Sequence, residues 1–80
     1  MAKTFKYRVC QTQAARVTFV NGRWQGLQVA EEANPAQVYN SCPMVWDYLE
    51  SAGRDGWELV SAVPQPDAAA HLLFMKKEVS

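Results

Sequence analysis

Residues 45–63 read VWDYLESAGRDGWELVSAV, a stretch that joins an amphipathic helix to a turn and a strand. Val45, Leu49 and Ala52 recur at the spacing that aligns side chains on one face of a helix. Gly53 follows them, and glycine readily adopts the left-handed conformation that commonly ends a helix. The pattern predicts a helix over residues 43–52 that ends at Gly53.

A turn and a strand follow this helix in the sequence. Asp55-Gly56 is a typical turn pair, and residues 57–63 form a short apolar run rich in aromatic and β-branched side chains. Such a run predicts a mostly buried strand. Because the turn reverses the chain within three residues, we expect a positive φ at Gly56 and the Trp57 ring in the core.

The same stretch resembles a family of small bacterial and phage-borne proteins, number 4177 among the domains of unknown function. Residues 49–60 fit its signature of a leucine, three residues, Gly, two residues and then Gly-Trp-Glu-Leu-Val. Members begin with a Tyr-containing strand, as residues 6–9 do, and end in an apolar strand with a basic pair, as residues 73–77 do. The chain departs from the pattern at Ala52, where a larger aliphatic residue is usual, and over residues 16–40.

The resemblance implies a fold and carries no catalytic residue, because the family has no agreed activity. It implies a structural role for the signature residues Gly53, Gly56, Trp57, Glu58 and Leu59. For Glu58 we expect hydrogen bonds to turn amides or an ion pair with Arg54.

The N-terminal third predicts three antiparallel strands. Apolar and polar residues alternate over residues 3–12, a period of two that is typical of a half-buried strand. A second strand covers residues 17–20 and is followed by Asn21-Gly22, which favours a type I′ hairpin turn because both turn positions need positive φ. This turn places Phe19 opposite Trp24 on a strand over residues 23–29, in which Gly26 marks a bulge or a close approach.

The remaining elements complete an α+β fold. Asn34-Pro35 predicts a short helical turn before Asn40, within a segment over residues 30–42 that is otherwise a loop. Ser41 or Cys42 is expected to cap the main helix. After a turn at residues 64–67, residues 70–78 form the last strand. We therefore predict a mostly antiparallel sheet of four or five strands with one helix packed on one face, in the order β-β-β-α-β-β.

Composition indicates one small domain over residues 1–80. Hydrophobic residues make up 49% of the chain, which is enough for one core. No apolar run is long enough to span a bilayer and no signal peptide is recognisable, so we expect a cytoplasmic protein. In that compartment Cys10 and Cys42 are expected to stay reduced and unbridged.

Most kinds of chemistry are disfavoured by the residue pattern. Nucleophilic catalysis would depend on His71, the only histidine, activating Cys10 or a serine, and no Gly-rich turn presents such a nucleophile. A zinc site lacks any closely spaced pair of ligands, and the four scattered glycines form no phosphate cradle. We therefore predict a protein that is not an enzyme and has no catalytic residue, metal or cofactor.

The charge distribution suggests two different surfaces. Net charge is zero, which disfavours nucleic acid as a partner, but five basic residues and no acid precede Glu31, whereas seven acids and only Arg54 lie between Glu31 and Asp67. A basic face would attract an anion or a second copy of the chain, and two ordinary solvated surfaces are the alternative. The candidate anion-binding residues are Lys6, Arg8, Arg23 and Lys76.

The supply of apolar residues indicates an interface. So small a domain buries only about 60% of its unfolded surface, so some of its nine aromatic rings are expected outside. The candidate interface residues are Met44, Trp46, Tyr48, Leu72 and Phe74, and the last strand is the expected contact if it forms a sheet edge. We therefore predict a non-enzymatic interaction module, either a homo-oligomer or a small accessory subunit of a larger assembly. The alternative is a small binding protein that sequesters an anionic ligand such as a nucleotide, as a phage-borne sponge would.

Overall fold

The computed structural model describes residues 2–26, 34–66 and 69–79 and confirms the α+β class. Its five strands form one antiparallel sheet in the order β3-β2-β1-β5-β4. The chain has a second, shorter helix in addition to the one expected. The elements are β1 (Phe5–Gln13), β2 (Arg16–Val20), β3 (Arg23–Trp24), α1 (Pro35–Asn40), α2 (Val45–Arg54), β4 (Glu58–Pro64) and β5 (Ala70–Glu78).

The hairpin between β2 and β3 follows the sequence prediction. Asn21 and Gly22 both have positive φ, 51° and 80°, as a type I′ turn requires. Phe19 lies opposite Trp24, with the ring centroids 5.4 Å apart and the planes at 65°. A Cβ on Gly26 would lie 2.5 Å from the Ser41 hydroxyl oxygen, so the predicted close approach is confirmed. β3 ends at Trp24, and residues 27–29 of the longer predicted strand lie outside the described residues.

The short helical turn predicted after Asn34 is α1. The Asn34 side chain accepts a hydrogen bond from the N–H of Ala36, and Pro35 occupies the first turn. The Tyr39 hydroxyl donates to the carbonyl of Gln13, 2.7 Å away, which ties α1 to the end of β1. Residues 30–33 of the predicted loop lie outside the described part of the chain.

Helix α2 begins later than predicted. Its N-cap is Met44, not Ser41 or Cys42, and no side chain caps it. Backbone pairing with the start of β2 is the reason. Met44 forms an isolated bridge with Arg16 and is extended, with φ −67° and ψ 147°. The N–H of Val45 donates to the carbonyl of Ala15 over 2.7 Å, so this segment is held against the sheet before it becomes helical.

Helix α2 also ends later than predicted, because Gly56 and not Gly53 closes it. Gly56 has φ 95°, whereas Gly53 is helical and has no positive φ. The N–H of Trp57 donates to the carbonyl of Ala52 over 2.9 Å, and the N–H of Gly56 donates to that of Gly53 over 3.0 Å. This is the pair of bonds that defines a Schellman motif. The positive φ predicted at Gly56 is therefore confirmed, and the expected stop at Gly53 is wrong.

The core lies between α2 and the centre of the sheet. Its buried members come from β1, β2, α2 and β5, and Val20, Val45, Tyr48, Leu49 and Trp57 pack against them. The members are Cys10, Val17, Ala52, Leu73 and Met75. Trp57 is half-buried, with its ring packed against the core and the Arg8 guanidinium 4.1 Å from the ring centre. The expectation of a fully internal Trp57 is thus met only in part.

β4 is exposed along its whole length, and the prediction of a mostly buried strand is wrong. Its place at the edge of the sheet accounts for part of this exposure, because an edge strand has a neighbouring strand on one side only. The last strand, β5, is inner and not an edge.

Candidate functional site

The most unusual surface of the molecule is the β4 edge, which we define as the strand β4 together with its outer backbone groups. All seven residues are exposed, and they read ELVSAVP. Large apolar side chains are prominent among them, with Leu59, Val60 and Val63 each more than 40% accessible. Glu58, the only charged residue of the strand, stands at its start. Charge therefore does little to discourage this edge from pairing with another chain, and Pro64 and a register irregularity between Leu59 and Ser61 confine the regular part of the edge to the residues between them.

Within the part of the chain that the structure describes, the backbone N–H and C=O of Ala62 on the β4 edge have no hydrogen-bond partner. The N–H of Gln65 donates to the carbonyl of Ala70 over 2.9 Å, and Ala62 pairs with Leu73 in the same register. Since bonding alternates along an antiparallel ladder, the N–H and C=O of Ala62 point away from β5. Pro64 shares that orientation, and its missing N–H suits an outer edge. The outward amide of Ala62 is thus available to a partner strand.

A second apolar surface lies on the face of the sheet opposite α2. Register and alternation place Tyr7, Phe74 and Val63 on this open face, and all three are exposed. Leu72 lies on the same face and is half-buried. The open face meets the β4 edge at Val63, so the two surfaces are continuous.

The candidate interface residues fall on three different surfaces. Trp46 is 60% exposed on α2, as expected. Tyr48 instead packs against the core, and Met44 is a half-buried N-cap, so the predicted exposed patch on α2 is reduced to Trp46. Leu72 and Phe74 lie on the open face, remote from the solvent side of α2.

A basic cleft of about 540 Å³ lies beside α2, where β1 extends past the end of β2. We use the name basic cleft for the space lined by Arg8, Val20, Asn21, Arg23, Gln25 and Tyr48. Its lining contains two guanidinium groups and no carboxylate. Neither Arg8 nor Arg23 forms an ion pair with any acid in the described ranges 2–26, 34–66 and 69–79.

Arg8 is held in place by aromatic side chains. Its Nη1 donates to the Tyr48 hydroxyl oxygen over 2.7 Å, and its guanidinium carbon lies 4.1 Å from the centre of the Trp57 ring. Cation–π contact with tryptophan is favourable and fixes the plane of the guanidinium. Lys77 approaches the same ring, with its Nζ 6.0 Å from the centre. The remaining N–H donors of Arg8 are thereby presented in a fixed orientation.

The structure brings together two of the four candidate anion-binding residues. Arg8 and Arg23 line the basic cleft, and Lys6 precedes Arg8 by two positions on the same face of β1 without lining it. Lys76 lies on the open face, with its Nζ 4.9 Å from the Phe5 ring centre. Lys76 therefore does not belong to this site.

The signature acid Glu58 has a different neighbour from the one expected. Arg54 pairs with Glu50, 3.7 Å away on α2, and the register places Glu58 across from Lys76. Glu58 is exposed. The carboxylate paired with Lys77 is that of Asp55 in the turn, at 3.5 Å.

The cysteines and the histidine do not form a reactive group. Cys10 and Cys42 are both free and buried. Burial raises the pKa of the Cys10 thiol above its usual 9.0, against the opposing effects of a hydrogen bond from Tyr48 and the charge of Arg8. Burial likewise raises the pKa of Cys42. His71 is exposed and pairs with Thr12 across β1 and β5. A thiol kept protonated in the interior is a poor nucleophile.

Within the residues described, no three His, Cys, Asp or Glu side chains are grouped so as to hold a metal ion. No helix among them is both long and apolar enough to cross a membrane.

The chain matches no protein-family model, no curated protein and no solved structure. The resemblance to family 4177 of the domains of unknown function therefore stays a prediction. Two features of the surface were not expected from the sequence. The β4 edge was missed because an apolar run gives the same signal for a buried strand and for an exposed one. The basic cleft was found only in part, because the role of Tyr48 and Asn21 depends on tertiary contacts.

Proposed function

We propose that this chain is a non-enzymatic interaction module that forms a homodimer through its β4 edge. The single observation behind the proposal is an edge strand whose seven residues are all exposed and mostly apolar. Leaving Leu59, Val60 and Val63 in water is unfavourable by about 25 cal/mol for each Å² of apolar surface. A second copy of the chain supplies a strand with the same pattern.

Antiparallel pairing about a two-fold axis at Ala62 fits the edge best. The outward N–H and C=O of Ala62 would exchange two hydrogen bonds with Ala62 of the second copy, and Ser61 would lie opposite Val63 of the second copy. Residues that lie opposite each other in this pairing belong to the same face of the sheet in each copy. The two sheets therefore become one ten-stranded sheet with both copies of α2 on the same side.

Charge favours the antiparallel arrangement over a parallel one. Glu58 is the only charged residue of β4, four positions before Ala62. In the antiparallel dimer the two Glu58 side chains would be about 26 Å apart, which exceeds the Debye length at physiological salt. A parallel pair in register would place them side by side, where like charges are destabilising.

A matched pair of lysine substitutions tests the proposal. Val60 is 57% exposed on the β4 edge, and Val79 is 42% exposed beyond the end of β5. Full burial of a valine contributes about 1.5–3 kcal/mol, so losing the exposed part of Val60 in both copies would cost about 2–3 kcal/mol. The dimer dissociation constant of Val60→Lys is therefore expected to rise roughly thirty- to 150-fold. Val79→Lys adds the same charge and should leave it unchanged.

Light scattering coupled to size-exclusion chromatography, over a range of micromolar concentrations, provides the measurement. A wild-type dimer that dissociates in Val60→Lys and persists in Val79→Lys supports the proposal. Equal dissociation of the dimer in both variants would assign the effect to net charge and not to the β4 edge. A monomeric wild type would reject the homodimer, and a strand from a different protein would then be the remaining occupant of the edge.

A backbone variant separates hydrogen bonding from side-chain burial. Ala62→Pro removes the outward N–H without removing a bond to β5, whereas Ala62→Ser keeps that N–H. Only the proline variant should dissociate. If both variants dimerise like the wild type, the two-fold axis does not lie at Ala62.

A further inference from the structure

We propose that the basic cleft is a binding site for a phosphate group carried by a small metabolite or present as inorganic phosphate. The proposal does not depend on dimerisation, because the cleft lies at the β2–β3 hairpin, on the far side of the sheet from β4. Its chemistry follows from the charged and polar groups that line it.

The lining is rich in hydrogen-bond donors and positively charged. Arg8 donates to the Tyr48 hydroxyl oxygen through Nη1, which leaves its other guanidinium N–H groups as donors for a ligand. Arg23 is exposed at the start of β3 and has no acidic partner in the described part of the chain. Two guanidinium groups without a carboxylate form an arrangement that an oxyanion complements, and phosphate accepts bidentate bonds from arginine.

Arg8 and the hairpin turn beside it are preorganised. The Trp57 ring and the Tyr48 hydroxyl fix Arg8 before any ligand arrives. The side-chain Oδ1 of Asn21 accepts a hydrogen bond from the N–H of Val9 over 2.8 Å, which fixes the turn on the opposite wall. Groups that are already ordered lose less conformational entropy on binding. The Asn21 side-chain N–H₂ has no partner among residues 2–26, 34–66 and 69–79, and is available as a further donor.

The size of the cleft admits more than the phosphate group alone. A volume of about 540 Å³ lies within the usual range for small-molecule sites, and the cleft is open to solvent. Inorganic phosphate and a phosphate monoester therefore share the anchoring chemistry and differ in what fills the remaining space. The test compares the two.

The experiment is a titration of the ¹⁵N-labelled chain with inorganic phosphate, with AMP and with adenosine. We expect saturable shifts of the Arg8 side-chain Nε–H and of the backbone amides of Asn21, Gly22 and Arg23 with phosphate and AMP, and none with adenosine. Tighter binding of AMP than of phosphate would assign the site to a monoester. Equal affinity would assign it to the phosphate group alone. Shifts with adenosine, or no saturable shifts with either anion, would overturn the proposal.

Two variants and a matched control localise the site. Arg23→Gln should weaken phosphate binding about tenfold or more, because it removes hydrogen bonds to a charged group. Arg54→Gln removes the same charge from the exposed end of α2 and should change the affinity less than twofold at physiological salt. Arg8→Lys keeps the charge but loses the planar guanidinium that forms several hydrogen bonds at once, so its affinity should also fall about tenfold when measured below its own thermal midpoint. An equal effect of Arg54→Gln and Arg23→Gln would reject the cleft as the binding site.

Discussion

Two glycines three residues apart at the end of α2 are expected to respond to alanine with opposite signs. Gly56 has φ 95°, and a Cβ there would lie 3.3 Å from the Lys77 Cε. The left-handed conformation costs a non-glycine residue about 1–2 kcal/mol, so Gly56→Ala should lower the free energy of unfolding by that amount. Gly53 is helical, and a Cβ there meets no atom within 4 Å. Replacing a helical glycine by alanine stabilises by about 0.5–1 kcal/mol, so Gly53→Ala should raise it.

Urea unfolding followed by tryptophan fluorescence measures both values at one protein concentration. The two variants should differ by about 1.5–3 kcal/mol, and their thermal midpoints should differ by roughly 6 °C or more in a domain of this size. A destabilised Gly53→Ala together with a neutral Gly56→Ala would place the left-handed residue at Gly53. That result would refute the Schellman motif that connects α2 to Trp57 and β4.

The other stability predictions concern the core and its thiols. Met75 is 2% exposed at the centre of the core, so Met75→Ala should lower the free energy of unfolding by about 2–5 kcal/mol. Val79→Ala, near the end of β5 and 42% exposed, should change it by no more than about 0.5 kcal/mol. Equal effects of the two variants in denaturant titrations would contradict the assignment of the core. Burial raises the pKa of Cys10 and of Tyr48 above their usual 9.0 and 10.0, so the unfolded chain loses these protons first. Stability should therefore be complete below pH about 9 and decline as the pH rises above it, and a flat profile of unfolding free energy between about pH 8 and 11 would contradict this.

Local turn chemistry was the most predictable part of the fold. Asn21-Gly22, the cap at Asn34 and the positive φ at Gly56 each depend on residues adjacent in sequence, and each lies where the sequence places it. The pairing of Phe19 with Trp24 follows from the turn type alone. Such features need no knowledge of the rest of the chain.

Features set by distant contacts were less predictable. α2 starts at Val45 because its N-terminal segment pairs with Ala15, thirty residues earlier, and no local pattern reports that bond. The exposure of β4 depends on the order of strands in the sheet. For the candidate sites, Arg8 and Arg23 were identified by charge, but their meeting in one cleft depends on the hairpin and on Tyr48.

Amide hydrogen exchange at Ala62 tests the proposed dimer most directly. In the single chain this N–H points away from β5 into solvent, whereas in the dimer it bonds to the second copy. Protection at Ala62 is therefore expected to rise with protein concentration in parallel with the dimer fraction, while protection of Leu73 in the inner strand β5 stays constant. If the protein dimerises and Ala62 remains unprotected at every concentration, β4 is not the contact and the account of this edge is contradicted.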